Sequence, residues 1–163
     1  MKRLNGDIHF SAFFMQTPLH KGDVMKTLIV EDDFTSRLLL QELLKIYGPT
    51  HIAVNGREAV DAMRLARVSG KPYDLICLDI MMPEMDGQEA LGIIRQMETS
   101  TAAAKEDRTK IVMTTALADR ANVMKAARRQ CDGFLVKPIE KTQRLTNPRI
   151  LTPSPRQICS ISE

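Results

Sequence analysis

A short apolar run, Leu75-Ile76-Cys77-Leu78, ends on one carboxylate, Asp79, and Ile80-Met81-Met82-Pro83-Glu84-Met85-Asp86-Gly87 follows it. The run is too short for a helix and free of turn residues, so it reads as a buried strand. Pro83 and Gly87 then punctuate a turn. An acid at the C-terminal end of a buried strand, just before a helix, sits where open α/β sheets place their chemistry. A carboxylate there is costly to desolvate unless a cation pairs it, so a partner cation is expected nearby.

The flanking sequence alternates in the same manner. Leu28-Ile29-Val30 is a first strand, followed at once by Glu31-Asp32-Asp33. From Thr35 to Tyr47 the spacing of Leu40, Leu43, Leu44 and Tyr47 is helical, and Gly48-Pro49 stops it. Thr50 to Val54 is a second strand. Asn55 caps a helix with Glu58 three residues on, and Asp86 with Glu89 repeats that spacing after the third strand. Ala59, Ala62, Met63 and Ala66 line one helix; Ala90, Ile93, Ile94 and Met97 line the next. Thr99 to Thr109 is a polar, charged loop without evident chemistry. Ile111 to Thr115 is the fourth strand, Asp119 caps a helix whose inner face includes Val123, Ala126 and Ala127, and Phe134-Leu135-Val136 is the fifth strand, ending at Lys137-Pro138. Alternating strands and helices predict a doubly wound five-stranded parallel sheet in the flavodoxin-like order 2-1-3-4-5.

Composition narrows the classes. No apolar run approaches the roughly 20 residues needed to span a bilayer. Lys2 and Arg3 precede an apolar stretch, but Asp7, His9 and Ser11 interrupt it and no small-residue cleavage site follows, so a signal peptide is not expected. Cys77, Cys131 and Cys159 form no C-x-x-C pair, and His9, His20 and His51 have no metal-ligand spacing. That is the cysteine usage of a reduced, cytoplasmic protein. The net charge of +3 comes from the tails, chiefly Lys141, Arg144, Arg149 and Arg156 against Glu163. Without a helix-turn-helix pattern or interleaved aromatics, nucleic acid is not an expected partner. Residues 1–24 lack periodicity and read as a loose leader, residues 25–141 as the domain, and residues 142–163 as a basic, proline-containing tail.

In the expected strand order, Asp32 and Asp33, Asp79, Thr114-Thr115 and Lys137 converge on one sheet edge. Three carboxylates, a hydroxyl and an ammonium make a site for a hard cation and a phosphoryl group. Mg²⁺ takes oxygen ligands, here Asp32 or Asp33, Asp79 and a loop carbonyl. Asp79 is then placed to act as a nucleophile, Lys137 to pair a phosphoryl oxygen, and Thr115 to donate its hydroxyl to another. Each element has an ordinary reading as well. An acidic pair after a strand is commonly a helix cap, Lys-Pro is common loop chemistry, and Thr-Thr has β propensity.

The combination resembles the receiver domain of two-component response regulators, of the stand-alone chemotaxis type, over Met25 to Lys141. The matching residues are Asp32-Asp33, Asp79 with Met82-Pro83 and Asp86-Gly87, Thr115-Ala116 and Lys137-Pro138. The resemblance implies that Asp79 accepts phosphate from a histidine kinase or histidine phosphotransfer protein. It implies Mg²⁺ held by Asp33, Asp79 and the carbonyl of Met81, with Asp32 acting through water, and a phosphoryl group held by Thr115, Ala116 and Lys137. It further implies a switch pair, Thr115 and Phe134, that signals to a protein target; Phe134 lacks a tyrosine hydroxyl. Met81 and Leu117, expected to flank the phosphoryl group, cannot orient an attacking water, so the acyl phosphate is expected to persist.

The sequence departs from the family after Glu140, where a fifth amphipathic helix is expected. Pro148, Pro153 and Pro155 break any long helix there. The fifth helix therefore reads as degenerate, one sheet face as partly bare, and self-association through the helix 4–strand 5 side as one way to cover it. The other candidates are Leu145, Ile150 and Leu151 of the tail, or Phe10, Phe13 and Phe14 of the leader. Two further functions compete. A phosphohydrolase with an aspartate nucleophile would need a second Asp at position 81, which is Met. A degenerate receiver would bind partners independently of phosphate.

Overall fold

The computed structural model describes residues 7–9, 24–100, 108–116, 120–139 and 144–146. In chain order the elements are β1 (Asp7–His9), β2 (Thr27–Val30), α1 (Phe34–Leu44), β3 (Thr50–Ala53), α2 (Gly56–Val68), β4 (Leu75–Asp79), α3 (Gly87–Thr99), β5 (Lys110–Ala116), α4 (Arg120–Arg128), β6 (Gly133–Lys137) and β7 (Arg144–Thr146). They form one sheet in the order β1-β7-β6-β5-β4-β2-β3. From β3 to β6 every pairing is parallel. The expected order 2-1-3-4-5 is therefore present, with β4 at its centre. Phe10, Phe13, Phe14, Leu117, Asp119, Ile150, Leu151 and most of the loop before Thr109 lie outside the described residues.

Two-residue alternation divides the strands between two cores. Leu28, Val30, Ile76, Leu78, Ile111, Met113 and Phe134 pack on the face shared with Ala59, Val60 and Met63 of α2 and with Ala90, Leu91 and Ile94 of α3. Ile29, Leu75, Cys77, Val112 and Leu135 pack on the other face with Leu40 and Leu44 of α1. Strands buried on both faces read as continuous apolar runs, and Leu75–Asp79 is buried throughout. The predicted caps form: Asn55 accepts from the Glu58 amide at 2.8 Å, and Asp86 from the Glu89 amide at 2.8 Å.

The structure adds two strands that the sequence pattern does not announce. β7 pairs antiparallel with β6, and β1 antiparallel with β7. The expectation of a bare face beside the last two parallel strands is corrected. Val112 is 0% and Leu135 1% exposed. Both pack in one cluster with Leu40, Leu44 and Ile139, the last lying just beyond β6.

At the end of the sheet opposite Asp79, a buried ionic network holds α3, β5 and the α4–β6 turn together. Arg95 donates to Glu98 at 2.7 Å, to the Thr109 carbonyl at 2.8 Å, to the Gln130 carbonyl at 3.0 Å and to Asp132 at 2.7 Å. Glu98 also accepts from the Thr109 amide at 2.9 Å, and Asp132 from the Ile111 amide at 2.8 Å. Removing the guanidinium strands two carboxylates, although Arg108 and Lys110 stay close to them. Arg95→Met is expected to cost about 3 kcal/mol, read as a lower urea midpoint with unchanged slope. A wild-type midpoint would show that the network contributes nothing net.

Candidate phosphoryl-transfer site

The strand ends meet where the parallel sheet predicts. Asp79 closes β4, Lys137 closes β6, and Glu31 follows β2 directly. Backbone contacts lock the loop behind Asp79. The Ile80 amide donates to the Thr114 carbonyl at 3.1 Å, and the Gly87 amide to the Ile80 carbonyl at 2.9 Å. A Cβ on Gly87 would lie 2.0 Å from the Asp79 carbonyl oxygen, so only glycine allows this close return. Gly56 makes a similar approach, its amide donating to the Met85 carbonyl at 3.1 Å. The loop is thus held from β5, α3 and α2.

Glu31, Asp32 and Asp79 each place a carboxylate oxygen within 4.8 Å of the others'. Glu31 and Asp79 are buried while Asp32 is exposed. The Lys137 ammonium bridges the buried pair, 2.9 Å from Glu31 Oε1 and 2.9 Å from Asp79 Oδ2. Burial pushes the Glu31 carboxyl up to about 7, the neighbouring Asp79 charge pushes the same way, and Lys137 offsets part of both. Burial alone would lower the Lys137 pKa, but its two carboxylate partners raise it above the ordinary lysine value. Glu31 Oε2 is buried with no hydrogen-bond partner. Three clustered carboxylates, one with an unsatisfied buried oxygen, are a donor set that fits a hard divalent cation.

Most of the predicted site residues come together, and one does not. Asp32, Asp79 and Lys137 converge. Asp33 instead caps α1, accepting from the Ser36 amide at 2.7 Å, and that bond holds its carboxyl below the usual range. The third carboxylate clustered with Asp32 and Asp79 is that of Glu31. The acidic pair is therefore displaced by one residue from the sequence reading, because a cap must precede its helix and Asp33 stands directly before Phe34. The D-x-x-S spacing of Asp33 and Ser36 was the available signal. Arg37 was not anticipated either; it donates to the carbonyls of Glu31 at 2.9 Å and Asp32 at 3.2 Å, fixing the acidic turn.

Thr115 is buried, and its hydroxyl donates only a long 3.3 Å bond to the Ala116 carbonyl. Ala116 is exposed and stands opposite Lys137 in the β5–β6 register. Phe134 is 1% exposed and pairs with Met113. The Met81 side chain is exposed beyond the end of β4. Cys77 and Cys131 are buried, and burial pushes both thiols up to about 12, so neither is a nucleophile.

The sequence profile of the response regulator receiver domain family matches residues 27–147. Chemotaxis protein CheY of Listeria monocytogenes is 34% identical over 119 residues, covering 72% of this chain and 89% of that protein. The osmosensing histidine protein kinase SLN1 of Saccharomyces cerevisiae is 31% identical over 119 residues, which is 72% of this chain and only 9% of that relative's length. Chemotaxis protein CheY4 of Vibrio cholerae has a similar structure, with TM-score 0.61 and 26% identity over 73% of this chain and 91% of that one. The receiver domain of the Arabidopsis thaliana histidine kinase CKI1, complexed with Mg²⁺ and BeF₃⁻, gives 0.58 and 29% over 69% and 80%. A co-crystal structure of the Saccharomyces cerevisiae phosphotransfer protein Ypd1 with the receiver domain of Ssk1 gives 0.59 and 28% over 71% and 80%. Because the family match runs from the first residue of β2 past the end of β7, it takes in every strand end that meets at Asp79, and the chain belongs to the response regulator receiver domain family.

Proposed function

We propose that this chain is a phosphoacceptor receiver in which Asp79 takes the phosphoryl group. The observation that carries the reading is Lys137 bridging Asp79 and Glu31 beside an unsatisfied buried carboxylate oxygen. In the transfer an Asp79 oxygen forms the new bond to phosphorus, the bond from phosphorus to the donor imidazole nitrogen breaks with its electron pair going to that nitrogen, and the imidazole, carrying a proton on its other ring nitrogen, leaves neutral. Glu31, Asp32 and Asp79, with the Met81 carbonyl, would hold Mg²⁺. When bound, the ion offsets the acids' charge and stabilises the phosphoryl oxygens. Lys137 follows the charge onto a phosphoryl oxygen, and Thr115, weakly bonded at present, donates to another. Ala116 is small enough to leave the approach open. The protein turns over nothing but its own acyl phosphate.

The donor is a histidine kinase or a histidine phosphotransfer protein, a reading supported by the similarity to part of a histidine kinase and to a receiver domain co-crystallised with a phosphotransfer protein. Phe34 and Leu38, exposed one turn apart at the start of α1 beside the acidic turn, supply apolar contact for that donor. The output is a protein target at α4 and β6, reached through Thr115 and Phe134. The buried, unpaired thiols of Cys77 and Cys131 support a reducing compartment such as the cytoplasm for this reaction.

Incubation with acetyl phosphate and Mg²⁺, followed by intact-mass measurement, tests the acceptor. The wild type is expected to gain one phosphoryl group and Asp79→Asn none; full labelling of the variant sinks the assignment.

The displaced acidic pair gives a sharper contrast. Asp32→Asn and Glu31→Gln are each expected to weaken Mg²⁺ binding on the order of tenfold or more. Asp33→Asn, which keeps a capping oxygen, should bind Mg²⁺ nearly as the wild type does. Titration calorimetry separates them, and an Asp33 variant that loses most affinity would restore the original ligand set.

Met81→Asn is expected to shorten the acyl-phosphate lifetime, since an amide at that position can orient a water where a thioether cannot. Decay at the wild-type rate would count against a role for position 81.

A further inference from the structure

Gln88 is the second residue of α3, directly after the glycine that packs on the Asp79 carbonyl. Its side chain is 1% exposed, unusual for an amide on a helix surface. Nε2 donates to the Asn122 carbonyl in the first turn of α4 at 2.6 Å. Its backbone carbonyl accepts from Arg129 Nη1 at 2.5 Å, and Arg129 stands one residue past the other end of α4. Gly92 makes room for that guanidinium, because a Cβ there would lie 3.2 Å from Arg129 Nη1. One residue of α3 therefore holds both ends of α4.

The strap matters because α4 has little else. Among its described residues only Ala126 is buried, with Val123 and Ala127 partly buried. The strap is also imperfect. Gln88 Oε1 is buried without a hydrogen-bond partner, so the amide is only half satisfied where it lies. A half-satisfied contact is one that a small displacement can trade for another.

We infer that Gln88 is a positioning residue that ties α4 to the phosphoacceptor loop, so that chemistry at Asp79 reaches α4 through Gly87 and Gln88. This rests on the receiver reading above, and it is a route separate from Thr115 and Phe134. A shift of the Asp79–Ile80 backbone must move Gly87, whose Cα it touches, and Gln88 then carries both attachments of α4 with it.

Amide hydrogen exchange of α4, with and without acetyl phosphate and Mg²⁺, tests the inference. In wild type, exchange over Asn122–Arg129 is expected to change on phosphorylation. Gln88→Met keeps the length and removes the bond. It should speed α4 exchange about tenfold in the unphosphorylated protein and abolish most of the phosphorylation-dependent change. Phosphoryl uptake by mass should stay within about threefold, since Gln88 touches no reacting atom. Arg129→Met cuts the second tie and should act in the same direction, with Arg129→Lys restoring part of the response; this pair decides the matter if Gln88→Met does not fold. A purely structural strap would speed exchange equally in both states and leave the phosphorylation-dependent ratio at its wild-type value, which would overturn the inference. A wild type that gains no phosphoryl mass overturns the receiver reading instead, a result the mass measurement reports independently of α4.

Discussion

The ammonium of Lys137 between Glu31 and Asp79 is the contact on which the site depends. Glu31 is fully buried and Asp79 nearly so. Two carboxylates this close repel, and desolvation penalises each charge separately. A single cation 2.9 Å from both makes the arrangement tolerable. The three groups come from three strands far apart in sequence, and only the parallel order places β2, β4 and β6 so that their ends share one cation. The fold is in this sense a means of bringing Lys137 across to residues that precede it by more than fifty positions.

The rest of the molecule keeps that edge rigid. Gly87 and Gly56 allow the backbone to return so closely that any side chain would collide with a carbonyl oxygen. Arg37 fixes the acidic turn by its carbonyls rather than its carboxylates, leaving the acidic oxygens free of it. At the far end of the sheet Arg95 anchors α3, whose first turn carries Gly87 and Gln88. One helix thus runs from a saturated, buried ionic network at its C-terminus to a half-satisfied amide at its N-terminus. Stability is concentrated away from the site, and looseness beside it.

Periodicity made the core legible. The two-residue alternation of Leu28, Ile29 and Val30, and of Leu75 to Leu78, divides the strands between two faces as observed. Asp79 and Lys137 were legible because each ends an apolar run. The clustered acids lie one place from the pair read in the sequence, because three consecutive acids offer two equivalent pairs and only the geometry of a helix cap decides between them. Glu31 was missed because a buried carboxylate is rare unless paired, and its partner lies on another strand. Arg95, Glu98 and Asp132 have the composition of a solvated surface, and no local pattern marks them as interior. β1 and β7 are three residues each, too short to show a period. What rests on one element or on the strand order was readable, the meeting of Asp79 and Lys137 included; the choice among adjacent acids and the buried pairing of Arg95 with Glu98 and Asp132 was not.

Charge counting shows why such a site is responsive. Three carboxylates against one ammonium leave an excess of negative charge at this edge, and the Glu31 carboxyl is held up near 7 by its burial first, with the Asp79 charge adding to it. A divalent cation removes it. A phosphoryl group then returns negative charge a few ångströms further out, and Lys137 cannot hold Glu31, Asp79 and a phosphoryl oxygen equally well. Whichever contact it yields, the end of β6 must adjust, because Lys137 is the last residue of that strand. Phe134 lies three residues earlier on the same strand, fully packed, with no hydroxyl to form an alternative bond. A site whose cation must choose between partners turns an electrostatic event into a mechanical one, carried by the end of β6 that Lys137 closes and by the strap between α3 and α4.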